Sequence, residues 1–203
     1  MTQIVPLIKQ AATSLQLRTY GLSDHMRVFS HTTTKERLRL FHLASRLPAN
    51  ARALEIGSHV GSSALFICAG LAHRDGRLVC VDTWMNQTMA DGERDTFAEF
   101  KANTQPYAHM ITPVRKFSHE LTEEEIGGPL DFVLIDGDHS EAGVRSDFRL
   151  IAPWVKTGGL IAFHDLMPNH PGVNIVVGEA LASGDWQLSS FVDTLGAIRK
   201  IRA

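Results

Sequence analysis

Only two cysteines occur in 203 residues. Cys68 and Cys80 each stand inside an apolar run. A disulfide framework is therefore excluded, and buried, reduced thiols in a cytoplasmic protein are expected. An excess of charge is also lacking, because 20 Lys and Arg against 22 Asp and Glu give a formal net charge of −2. With no basic block, the electrostatic footprint of a nucleic-acid binder is missing. The longest apolar run, Ala64 to Ala72, is far shorter than the roughly 20 residues a membrane span needs. No basic stretch followed by an apolar one marks the N-terminus as a secretory signal. Neither a repeat nor a low-complexity tract appears. What remains is a chain of one-domain size, 44% hydrophobic and 21% charged, able to bury a core without staples.

Ile4, Leu7, Ile8, Ala11, Ala12 and Leu15 have the spacing of a helix. A second helix is expected from near Thr34 to before Pro48, with Leu40, Leu43 and Leu47 on one face. This helical extension, residues 1–50, either caps a substrate site or serves plain packing. It also offers a surface for a homodimer.

From residue 51 to 203 the pattern alternates strand and helix. Strands are expected at 53–56, 78–81, 110–114, 132–135 and 160–163. Pro113 cannot donate to a ladder, so the third strand belongs at a sheet edge. Thr122 with Glu125 fits a capping box. Strands this apolar need cover on both faces, and alternation with helices implies parallel pairing. The tail, 186–192 and 196–201, predicts an antiparallel hairpin. The expected fold is α/β, a mostly parallel Rossmann-like sheet with helices on both faces.

Ligands of such sheets sit at the carboxyl ends of the strands. Those ends carry Glu55-Ile56-Gly57-Ser58-His59-Val60-Gly61-Ser62-Ser63, then Asp82-Thr83-Trp84, then Lys116 to His119, then Asp136-Gly137-Asp138-His139, then His164-Asp165. Gly57 and Gly61 permit a tight turn and close approach to a ligand. A dinucleotide site prefers Gly-x-Gly-x-x-Gly. Here the spacing is Gly-x-x-x-Gly beside an acidic Glu55, which suits a cationic amino-acid group or a sulfonium better than pyrophosphate. Asp82 is placed to accept from ribose hydroxyls.

These stretches resemble successive motifs of class I S-adenosylmethionine-dependent methyltransferases. Pro153-x-x-Lys156-x-Gly158-Gly159 through His164-Asp165 is similar to the branch of macrocin O-methyltransferase-like and cephalosporin hydroxylase-like proteins. The wider group includes the metal-dependent catechol O-methyltransferases. The resemblance spans about residues 52–203 and leaves 1–50 and 84–95 uncovered. It implies that Glu55, Gly57, Ser58, Gly61 and Ser63 contact the methionine half of the cofactor. Asp82 would bind the ribose, with Trp84 beside it or lining the substrate pocket. Ser118, with Phe117 or His119, would border the adenine.

Asp136, His164 and Asp165 can form one face of a six-coordinate site for a divalent metal, Mg²⁺ or Mn²⁺. His164 stands where the metal-dependent relatives mostly place oxygen ligands, which also admits Fe²⁺ or Zn²⁺. His139, three residues past Asp136, is where the resemblance places the base that would deprotonate an acceptor hydroxyl. Asp138 would serve as an alternative ligand or orient His139. Segments 84–94, with Met85, Met89, Asp91 and Gly92, and 167–172 are either substrate lids or ordinary loops. The expected reaction is methylation of a sugar or small-molecule hydroxyl, with nitrogen acceptors left open. Alternatives are a metal-dependent hydrolase and a non-catalytic S-adenosylmethionine-binding module. A nicotinamide dehydrogenase is disfavoured by the missing third glycine, and nucleic-acid methylation by the near-neutral charge.

Overall fold

The computed structural model describes residues 4–86 and 92–202, the first helix by its backbone alone up to residue 11. Of the segment 84–94, expected to be a lid or an ordinary loop, residues 87–91, with Met89 and Asp91, lie outside the described residues.

Helix α1 (Ile4–Thr19) and helix α2 (Thr34–Ala44) precede strand β1 (Arg52–Ile56), helix α3 (Ser62–Leu71) and strand β2 (Arg77–Asp82). Helix α4 (Phe97–Asn103), strand β3 (Ile111–Arg115), helix α5 (Glu123–Ile126) and strand β4 (Leu130–Ile135) follow. Helix α6 (Glu141–Ile151), strand β5 (Val155–Phe163), helix α7 (Pro171–Ala182), strand β6 (Trp186–Val192) and strand β7 (Leu195–Lys200) complete the order. The seven strands form one sheet in the order β3-β2-β1-β4-β5-β7-β6. Five are parallel, and β7 enters antiparallel between β5 and β6. Pro113 does lie on the edge strand, opposite Cys80. Among the described residues no helix is long and apolar enough to cross a membrane.

All six residues of β4 are buried, as a central parallel strand covered on both faces requires. One face packs Leu54, Val133, Ile161, Val144, Val173 and Val177 between sheet, α6 and α7. The other carries α3, whose ten residues are all buried. A helix apolar on every side needs a partner on its outer side, and α2 supplies it. At Gly70 an added Cβ would stand 2.6 Å from the Phe41 carbonyl oxygen and 2.7 Å from Ala44 Cβ, so the helices touch through glycine. Leu40, Leu43 and Leu47 are buried as their spacing predicts. In α1 the expected stripe fails at its end. Leu15 is 66% exposed, whereas Leu17 is buried.

Candidate functional site

The strand order reverses between β1 and β4, and at such a switch point the loops leaving the two strands diverge. A cavity of about 690 Å³ opens there. Gly57 lets it form. Its φ is +87°, and a Cβ would stand 2.1 Å from the carbonyl oxygen of Asp136, so only glycine passes between the two strand ends. Ser58, Ser63, Asp82 and Ser118 line the same cavity.

Asp82 fixes the loops around it. Its Oδ2 accepts from the His59 backbone N–H at 2.8 Å and its Oδ1 from that of Trp84 at 2.6 Å. Each carboxylate oxygen keeps a lone pair for a ligand hydroxyl. Ser118 Oγ donates to Asp147 Oδ1 at 2.5 Å, and burial raises the Asp147 carboxyl to about 6. Phe117, half exposed, stacks on His119 beside this pair.

Three residues expected to hold a cofactor do not line the cavity. Trp84 is fully buried, with its ring packed on Phe97 and Phe100 and its Nε1 donating to the His59 carbonyl at 2.8 Å. A φ of +53° turns the chain there, so the indole goes into the core and closes the wall from behind. Gly61 also has positive φ, and its missing Cβ makes room for Thr104 and Phe100. Backbone conformation and packing both demand glycine there. Glu55 is fully enclosed behind the glycine turn, and burial raises its carboxyl to about 7 against hydrogen bonding from neighbours. Cys80 Sγ donates to its Oε2 at 3.5 Å, while Oε1 and the neighbouring Ser58 Oγ have no hydrogen-bond partner. Buried orphan acceptors cost free energy unless a donor arrives. A cationic ammonium bound over the turn would supply donors and favour the ionised Glu55, so these residues fit the methionine end of S-adenosylmethionine.

The opposite end of the cavity gathers Asp136, His139, His164 and Asp165. His164 Nδ1 lies 3.1 Å from Asp136 Oδ1 and 3.5 Å from Asp165 Oδ1. Behind it, Nε2 lies 3.4 Å from Glu36 Oε2. Burial opposes a charged ring, but the three carboxylates outweigh it and push His164 up to about 12. Burial likewise opposes ionisation of Asp136, and the two histidines overcome it and lower its pKa. His139 Nε2 stands 3.5 Å from Asp136 Oδ1 and 3.4 Å from Asp165 Oδ2. Asp136 raises its pKa against burial.

Ligand atoms of Asp136, His164 and Asp165 lie within 4.8 Å of one another. A carboxylate behind the far nitrogen is the usual companion of a metal-bound imidazole, fixing its tautomer. The donor set therefore fits a divalent ion that displaces the His164 proton. Asp138 lines the cavity beside His139. It is exposed and accepts from Ser140 N–H and Oγ at the start of α6.

Sequence reasoning missed several residues. Glu36, 1% exposed, comes from α2 and also accepts from Thr33 and Thr194. The Thr33-x-x-Glu36 spacing does signal a capping box, but not the reach to His164. Phe29 to Thr32, ahead of α2, line the cavity, as does Asn86. Within the extension, α2 packs on α3, and the loop ahead of it supplies this part of the cavity wall. His170 reaches to within 3.9 Å of Asp165.

Comparison with known proteins follows the same lines. A family model described as a methyltransferase domain matches residues 54–166. The protein y4gI of Sinorhizobium fredii is 27% identical over 128 residues, 61% of this chain but 14% of its own length. This chain therefore spans only a small part of that relative. Three solved structures share the fold. The O-methyltransferase TomG of Streptomyces achromogenes, in complex with S-adenosylmethionine, superposes with a TM-score of 0.65 at 19% identity, over 95% of this chain and 89% of TomG. The O-methyltransferase NovP gives 0.69 at 17%, over 86% and 84%. The O-methyltransferase of Bacillus cereus, in complex with S-adenosylhomocysteine, gives 0.65 at 16%, over 94% and 91%.

Proposed function

Because the chain belongs to the methyltransferase-domain family, we propose that it transfers a methyl group from S-adenosylmethionine to a hydroxyl of a sugar or similar small molecule, with a divalent metal assisting. One observation carries this reading: Gly57, Ser58 and Asp82 at one end, and Asp136, His139 and Asp165 at the other, line a single continuous cavity. A nucleoside gripped at the first end would present its reactive carbon to the second.

S-Adenosylmethionine, when bound, supplies an electrophilic methyl group on a sulfonium. Ser58 would hold its ammonium, with the ionised Glu55 stabilising that charge from behind the glycine turn, Asp82 its ribose hydroxyls, and the Ser118–Asp147 pair its base. A divalent ion, when held by Asp136, His164 and Asp165, lowers the pKa of a hydroxyl beside it. In its neutral form His139 takes the acceptor's proton at Nε2, and Asp136 and Asp165 stabilise the imidazolium that results. Such assistance is worth roughly 10²–10⁴-fold. Ser30, His31 and Thr32 offer polar partners at the wall, and half-exposed Phe29 offers an apolar ring face. Together these suit a polyhydroxylated ring. Alignment of acceptor and methyl contributes at least as much as proton removal, since fixed geometry can save up to roughly 7–11 kcal/mol.

Calorimetric titration with S-adenosylhomocysteine tests the nucleoside end, and a flat titration overturns the proposal. Transfer of labelled methyl to a panel of sugars and phenols, with and without EDTA, tests the rest. Transfer undiminished by EDTA removes the metal and leaves the methyltransferase.

A further inference from the structure

Asp165 turns its two oxygens to different partners. Oδ1 faces His164 at 3.5 Å, whereas Oδ2 faces His139 Nε2 at 3.4 Å and His170 Nε2 at 3.9 Å. We propose that His139, Asp165 Oδ2 and His170 form a second metal site, selective for an imidazole-binding transition ion such as Zn²⁺ or Co²⁺ over Mg²⁺.

Geometry supports it first. Nitrogen or oxygen donors about 2.1 Å from an ion stand about 3.0 Å apart in octahedral and about 3.4 Å apart in tetrahedral coordination. The His139 contact already has the tetrahedral spacing, and the His170 contact must close by about 0.5 Å to reach it. All three donor atoms lie within 4.8 Å of one another, and the two imidazole rings are 4.7 Å apart, tilted by 65°. The aim of the donor atoms supports it second. His139 Nε2 is buried and points between the Asp136 and Asp165 carboxylates, at 3.5 and 3.4 Å.

The backbone holds these residues in place without help from an ion. His170 is the residue ahead of α7, and its N–H donates to the Met167 carbonyl at 3.0 Å. At Gly172 an added Cβ would stand 2.3 Å from the Glu141 N. The starts of α6 and α7 are therefore in contact, which sets His170 against His139. A groove of about 420 Å³, lined by His139, Asn169, His170 and Pro171, leaves room for water or a further ligand on the ion. Two imidazoles and one carboxylate favour first-row transition metals, whereas Mg²⁺ prefers oxygen donors and gives up its waters reluctantly.

One consequence rests on the methyltransferase reading. An ion on Nε2 of His139 occupies the lone pair that would otherwise take the acceptor's proton. Occupancy of the second site and base catalysis by His139 exclude each other, so excess Zn²⁺ inhibits.

The test is titration of the EDTA-stripped protein with Co²⁺, followed by calorimetry and by the visible absorption of the ion. The expected result is a bound Co²⁺ that millimolar Mg²⁺ does not displace. His170→Ala should weaken it by more than about tenfold, whereas Asp136→Asn should retain it. Equal affinity in wild type and His170→Ala, loss of all binding in Asp136→Asn, or no Co²⁺ binding would each overturn the site. S-Adenosylhomocysteine is titrated into the same samples. Its binding certifies the fold of each variant, and its failure in wild type counts against the methyltransferase reading, leaving the metal result to stand by itself.

Discussion

Glu36 Oε2 lies 3.4 Å from His164 Nε2, joining two residues 128 apart in the chain. The same carboxylate accepts from the Thr33 N–H at 2.7 Å, and from Thr194 N–H and Oγ1 at 2.8 Å each. One buried side chain thus ties the start of α2, the β6–β7 turn and the end of β5 together. Burial opposes its ionisation, but hydrogen bonds from His164, Thr33 and Thr194 outweigh it and bring its pKa down to about 2. A carboxyl depressed in the fold stabilises the protein above its unfolded pKa and loses that effect as pH falls toward the folded value. Acid unfolding should therefore set in between about pH 4.5 and 2. Glu36→Ala should cost about 3–5 kcal/mol, since it leaves the His164 charge without one of its buried partners. Urea unfolding measures both. A loss under about 1 kcal/mol would show that the contact does not hold the site together.

Gly57 and Gly158 have nearly the same φ, +87° and +88°, in opposite surroundings. Beside Gly57 an added methyl meets the Asp136 carbonyl at 2.1 Å, while nothing lies within 4 Å of Gly158. Gly158→Ala should therefore cost only the left-handed backbone, about 1–2 kcal/mol. Gly57→Ala must also push β1 from β4, and should cost more than about 3 kcal/mol and abolish S-adenosylhomocysteine binding. Equal midpoints in urea for the two variants would refute the close approach.

Much of this was legible before any coordinates. The strand–helix alternation, the edge position of Pro113 and the hairpin tail follow from apolar runs and backbone chemistry that act locally. Asp136, His139, His164 and Asp165 meet because a parallel sheet brings its strand ends to one side. Positions fixed by long-range packing were not legible. Trp84 follows a strand end, and only the left-handed turn there decides whether the indole enters the cavity or the core. Gly61 reads as a ligand glycine, and nothing local announces that Thr104 and Phe100 also leave no room for a Cβ there. Glu36 and His170 lie outside the strand-end motifs, and nothing local announces that a helix cap and a loop histidine reach the same cluster.

Glu55 supplies a pH test. Its carboxyl is raised to about 7 by burial, so the folded state disfavours its charge. Stability should decline as pH rises from about 4.5 toward 7, with no further loss above. A bound ammonium reverses the balance and lowers the Glu55 pKa, so binding expels a proton. S-Adenosylhomocysteine affinity should rise from pH 6 to 8, with proton release visible in buffers of different ionisation enthalpy. Glu55→Gln keeps the volume and should abolish that release. Release that persists in the variant would assign the proton elsewhere.

Asp82 separates a ligand contact from a loop clamp. Both of its oxygens already accept backbone N–H groups, from His59 and from Trp84, and a carboxylate has further lone pairs for two ribose hydroxyls. Asp82→Asn keeps the shape but replaces one acceptor oxygen with a donor. That NH₂ faces either the His59 or the Trp84 N–H, and also one ribose hydroxyl. Hydrogen bonds to a charged group contribute about 1.5–3 kcal/mol. S-Adenosylhomocysteine affinity should therefore fall by roughly 10–150-fold. Adenosine, which carries the ribose but no amino acid, should lose a similar factor, whereas methionine should lose none. A drop confined to S-adenosylhomocysteine, with adenosine unaffected, would mean that Asp82 positions the His59 and Trp84 loops without touching the sugar.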